Sequence, residues 1–169
     1  MTKPRAGQKA FTLVELLVVV ALTAIITMVT GTVVIQMLTE SQRSSGRLTA
    51  SQQVQNAGFW FKRDGAMAQT VMLDDLSTGD ITEFITLEWT DWDGTSHRSA
   101  YTLEDAGSGL NRLMRSYSVG GNTQTMFVAD SITSASANWT RPVLSMTITV
   151  QVGSQNAART YQVKPRPIN

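Results

Sequence analysis

From Leu13 to Thr39 the chain carries one charged side chain, Glu15, within a run built mostly of Leu, Val, Ile, Ala, Met and Thr. As a helix rising 1.5 Å per residue, such a run spans roughly 40 Å, against a hydrocarbon core of about 30 Å. It is long enough to cross a membrane. A secretory signal peptide has an apolar region of about 7–15 residues followed by small residues at a cleavage site. This run is longer and has no small-x-small exit, which favours a retained anchor. Lys3, Arg5 and Lys9 precede it with no acid among them. The positive-inside rule then places the N-terminus in the cytoplasm and the C-terminal part outside, as in a single-pass inner-membrane protein.

Glu15 is the anomaly in that run. A carboxylate in a membrane helix costs roughly 2.5–3.5 kcal/mol at the bilayer centre and less near the interface, and it usually has a partner. The cations near it, Lys3, Arg5 and Lys9, all precede the run, and none lies within it. Cutting the chain next to Phe11 would create a partner, a free α-amino group four residues from Glu15.

The helix is expected to continue beyond the membrane, from about Phe11 to about Thr70. No proline falls between Glu40 and Val71, and Val54, Ala57, Phe61 and Ala68 recur at helical spacing among polar residues. Thr27, Thr30, Gly31 and Thr32 mark the stretch of weakest helix propensity, where a bend or partial unwinding is expected. After Val71 the period changes. Ile81, Glu83, Ile85, Leu87 and Trp89 alternate with Thr82, Phe84, Thr86 and Glu88, as in a strand. Asp91-Trp92-Asp93-Gly94 supplies a hairpin turn, with His97–Leu103 returning. Further strands are read at 110–117, 125–129, 144–152 and 159–164. The fold class is α+β: a long N-terminal helix, transmembrane in its first half, packed on an antiparallel sheet of five or six strands. The organisation reads as a leader over 1–10, a membrane helix over 11–39, an amphipathic extension over 40–71 and a sheet domain over 72–169.

Composition removes several function classes. With no cysteine and one histidine, His97, the chain has neither a thiolate metal site nor a multi-histidine one. The net charge is +1, but without residues 1–10 the count is 11 basic and 13 acidic side chains, a net of −2. Binding to nucleic acid is therefore not expected.

Lys9-Ala10-Phe11-Thr12-Leu13-Val14-Glu15, followed by the apolar helix, resembles the prepilin-type cleavage and methylation segment of type IV pilins and type II secretion pseudopilins. The resemblance implies cleavage by a prepilin peptidase between Ala10 and Phe11, and N-methylation of Phe11. It also implies that Glu15, fifth in the mature chain, pairs with an N-terminal amine during assembly. The family usually has glycine before the cut, where this chain has Ala10. Cutting after Gly7 instead would place Glu15 eighth and leave Lys9 near the mature end. The strand sequences 85–89, 98–103 and 110–113, and Arg63-Asp64, look like those of minor subunits of the J type. The implied function is a structural, non-enzymatic minor subunit of a type IV pilus-like or type II secretion filament, without cofactor. Its implied partners are other pilin or pseudopilin subunits, the prepilin peptidase, the inner-membrane assembly platform and membrane lipid. The alternative is a tip minor pilin that binds DNA or a surface.

Other constellations have plainer explanations. Asp91 and Asp93, helped by Asp74, Asp75 and Asp80, are weak calcium candidates; a site needs six to eight oxygens, and a turn accounts for Asp93-Gly94. His97 beside Ser96 and Ser99 lacks a nucleophile-elbow pattern and reads as an exposed histidine at a strand start. Of the four tryptophans, Trp92 at a turn tip is the one expected outside the core. Arg159, Lys164 and Arg166 form a short basic end, too few charges to indicate nucleic acid.

Overall fold

The computed structural model describes residues 12–74 and 83–166. Ala10 and Phe11, Lys3, Arg5, Lys9, Asp75, Asp80, Ile81 and Thr82 lie outside the described residues. Contacts divide the chain into two units, Met1–Gln42 and Arg43–Asn169.

In the first unit, the helix α1 (Leu13–Met67) begins after Thr12 and stays α-helical through Thr27, Gly31 and Thr32, where a bend or unwinding was expected. No proline interrupts this stretch, and its hydroxyls bond back to the helix's own carbonyls. Thr23 donates to Val19 O at 2.7 Å, Thr27 to Thr23 O at 2.8 Å, Thr30 to Ile26 O at 2.8 Å and Thr32 to Val29 O at 2.7 Å. Each threonine thus satisfies its own hydroxyl on the preceding turn and needs no water. The side chains of residues 13–42 are exposed, and the most apolar window of this helix has a mean hydropathy of 2.5.

In the second unit, the same helix buries Ala50, Val54, Ala57, Phe61 and Asp64. The spacing alternates four and three, one stripe along one face. Among the described residues seven antiparallel strands follow in sequence order: β1 (Thr70–Leu73), β2 (Glu83–Thr90), β3 (Ser96–Gly107), β4 (Leu110–Val119), β5 (Asn122–Thr140), β6 (Val143–Val152) and β7 (Gln155–Val163). The helix stops at Met67, and β1, the strand that the helical reading to about Thr70 conceals, pairs with β2 through Val71↔Leu87 and Leu73↔Ile85.

β5 is nearly four times the length expected from 125–129, because it serves two partners. Its first part pairs with β4 and its second with β6, and it turns at Ser131, whose φ of 58° is left-handed. The main-chain N–H of Ser131 is held by Asp130 Oδ1 at 2.7 Å, and Gln53 Oε1 on the helix accepts from Asp130 N at 3.0 Å. The sheet curls, and its concave face carries Ile85, Leu87, Leu113, Ile132, Leu144, Met146, Ile148 and Val150 into one core with the helical stripe. Each such side chain contributes about 1.5–3 kcal/mol on full burial.

Two glycines allow β7 to approach the helix. A Cβ on Gly58 would overlap the ring of Tyr161, and one on Gly65 would meet Val163. Tyr161 lies across Gly58 and donates its hydroxyl to Val54 O at 3.0 Å. Its pKa is raised by burial.

Candidate functional site

The first turn of α1 is organised by Thr12. Its Oγ1 accepts the main-chain N–H of Glu15 at 3.3 Å, and Leu16 N donates to Thr12 O at 3.2 Å. Thr12 is therefore the N-cap, and Glu15 stands at the third helical position, the Thr-x-x-Glu spacing of a capping box. The helix dipole favours an anion there. Glu15 stands out in the sequence by its charge; the Thr12-x-x-Glu15 cap signature is legible there as well. From Leu13 to Thr39 no second charge follows, so Glu15 stands near one end of the run, where a carboxylate costs less than at the centre.

The second unit has a buried polar centre that the apolar stripe does not announce. Asp64, 2 % exposed, occupies the stripe position between Phe61 and Ala68. Its Oδ2 accepts from Ser99 Oγ, Tyr101 Oη and Arg115 Nε, each at 2.6 Å, and its Oδ1 from Arg115 Nη2 at 2.8 Å. Arg115 is in turn sandwiched between Trp60 and Tyr117, with ring centroids 4.7 and 4.9 Å away. Burial works against its charge, but the hydrogen bonds and attraction from Asp64 outweigh it and raise its pKa. Burial, and then the Asp64 carboxylate, push the Tyr101 phenol well above its usual range. The arrangement can fix the helix on β3 and β4. It presents no free nucleophile, since Ser99 Oγ is committed to Asp64.

His97 is not exposed as expected; its side chain is 11 % accessible. It packs against Trp89, at 5.2 Å and 7°, and against Tyr117, at 5.9 Å and 18°; those two rings are 6.0 Å apart, so the three form a triangle. Cross-strand pairing of Trp89 with His97 sets these two rings side by side. His97 Nδ1 is 2.7 Å from Tyr117 Oη. Its Nε2 lies 3.0 Å from Asp91 Oδ2, but at an angle that does not make a hydrogen bond.

Asp91 and Asp93 are both engaged locally. Asp91 faces His97, while Asp93 Oδ1 accepts Thr95 N–H at 2.9 Å, which holds the Asp93 carboxyl below the usual range. Among the described residues no three Asp, Glu or His side chains converge as metal ligands. Trp92, between them, is 99 % exposed, as its place at the turn tip led us to expect. Arg141, Lys164 and Arg166 line a cleft with Trp139; Arg159 is not part of it.

The model of the prokaryotic N-terminal methylation motif matches residues 5–31. No curated protein and no solved structure gives a match. The matched segment contains the Thr12 cap, Glu15 and the start of the apolar helix, and it supports the type IV pilin and pseudopilin family. A long apolar N-terminal helix before a curled antiparallel sheet is a pilin-like α+β arrangement. Motif and fold together point to a membrane-anchored structural subunit processed by a prepilin peptidase, rather than to an enzyme.

Proposed function

We propose that this chain is a minor, J-type-like subunit of a type IV pilus-like or type II secretion filament. It is cleaved between Ala10 and Phe11, N-methylated on Phe11, and assembled through its N-terminal helix. The observation that carries this reading is the methylation motif over residues 5–31, lying on an apolar helix whose first turn contains Glu15. In the precursor, Lys3, Arg5 and Lys9 hold the leader in the cytoplasm, and the sheet domain is exported.

The first turn gives Glu15 a second reason to exist. Cleavage puts the new ammonium on Phe11, directly before the Thr12 cap, at the positive end of the helix dipole. That charge is unfavourable there, and Glu15 offsets it. When the helix leaves lipid for a bundle of neighbouring subunits, an ammonium and a carboxylate enter together as a pair, the form in which buried charges are tolerated. The partners are other pilin-like subunits, the peptidase, the assembly platform and lipid.

N-terminal sequencing of the mature chain tests the cut: Phe11 first is expected, and an intact Met1 or a start at Gln8 overturns it. Glu15→Ala should leave membrane insertion unchanged and reduce filament incorporation at least about tenfold, the loss of a buried charge partner. Wild-type incorporation of that variant would refute the ion-pair role.

A second reading, a tip subunit that binds DNA or a surface, draws on Arg141, Lys164 and Arg166 beside Trp139. DNA retention by the full chain at moderate salt would favour it, and none at low salt would dismiss it.

A further inference from the structure

Two complementary features adjoin at the end of the sheet domain where the helix stops. One is a knob. Trp92 projects from the β2–β3 turn, flanked by Asp91 and Asp93. Lone exposed hydrophobic residues are ordinary, but this one sits on a fixed turn. Gly94 N donates to Asp91 O at 3.0 Å, Asp91 N to Thr95 O at 2.9 Å, and Asp93 Oδ1 holds Thr95 N–H. A preorganised tip loses little freedom on docking.

The other feature is a cleft of about 620 Å³. Val71, Trp139, Pro142 and Pro165 give it apolar walls, and Arg141, Lys164 and Arg166 give it positive charge; among the described residues no acid lines it. Among the described residues none of these three cations has an acidic partner within salt-bridge distance. Gln69, also in the cleft wall, exchanges hydrogen bonds with Thr90, the last residue of β2 before the knob.

We propose that this cleft receives the Asp91–Trp92–Asp93 tip of a second copy of the chain. The indole enters between Trp139 and the prolines, and the two carboxylates face Arg141, Lys164 and Arg166. A phosphate backbone would use the cations and leave the apolar walls unfilled, whereas an acidic turn carrying an indole uses both. Knob and cleft lie side by side, as a two-fold contact requires: each copy gives one tip and takes one, so the contact is made twice. This interface goes beyond the filament reading and does not depend on leader cleavage.

The test uses the full chain in its own membranes, as two differently tagged copies, one with Trp92→p-benzoylphenylalanine so that an aromatic knob is kept. Irradiation should join it to the other copy, with the adduct mapping to residues 139–142 or 164–166. Arg141→Glu in the receiving copy, or Asp93→Lys in the donating copy, should each lower the yield about tenfold, as for a close charge pair. Combining the two reversals should restore it. Trp92, Asp93 and Arg141 are exposed, so the fold should survive each change; Asp93→Lys also gives up the Oδ1 bond to Thr95 N–H, and the restored pair separates that loss from charge repulsion. Absence of an adduct, an adduct to another protein or to nucleic acid, or a copy-to-copy adduct indifferent to the reversals would each overturn the proposal.

Discussion

Asp64 is the residue on which the helix-to-sheet junction turns. It is charged, almost wholly buried, and bound by four donors from β3 and β4. Asp64→Ala leaves Arg115 charged and buried without its partner, so the domain should lose about 3–5 kcal/mol in chemical denaturation. Asp64→Leu combined with Arg115→Met should recover only part of that loss: the apolar pair removes the unpaired buried cation, but Ser99 and Tyr101 keep buried hydroxyls without their acceptor. A double variant as unstable as the single one would mean that the network does more than compensate its own burial. Tyr101 adds a pH dependence of defined sign. Its folded pKa is raised above the ordinary 10.0, so its contribution is complete below that value and fades as pH rises from there toward the folded pKa. Denaturation midpoints should hold steady through neutral pH and decline above about pH 10, and Tyr101→Phe should flatten the decline.

At the scale of elements, what was legible depended on which periods the sequence kept. The apolar run and the apolar stripe keep simple patterns, and both lie on one helix as expected. The end of the helix was not legible, because Val71 and Leu73 continue an apolar pattern that suits helix or strand, and only pairing with β2 decides between them. The second half of β5 was missed for a related reason. Ala135, Ala137 and Trp139 lean on the core while small polar residues alternate with them, a weak signal beside its neighbour β6. Asp64 escaped notice as a core residue because the stripe was sought in apolar letters alone, while its spacing from Phe61 and Ala68 marks the position plainly. The approach of β7 to the helix supplies the test at this scale. Gly58→Ala raises helix propensity by about 1 kcal/mol, yet its Cβ would displace the Tyr161 ring and break the bond to Val54 O. The expected result is a net loss of stability. A gain would show that β7 moves away at little cost.

For the molecule as a whole, the division into two units sets what each part can do alone. Among the described residues the buried core lies between Ala50 and Val150, and the side chains packed against it run on to Val163, so a chain beginning at Arg43 retains them. Such a chain should be soluble and unfold cooperatively, with a midpoint within a few degrees of the sheet domain in the full chain. A non-cooperative melt would place part of the fold's stability in the first unit.

The threonines of the membrane half carry a consequence for the proposed filament. Their hydroxyls close on the helix itself, so the proposed passage from bilayer to filament interior would leave these hydrogen bonds intact. The two locations then differ chiefly in side-chain fit and in the fate of one charge pair. A subunit built this way can be drawn out and returned to lipid in the same conformation, which allows a filament to be taken apart without unfolding its members.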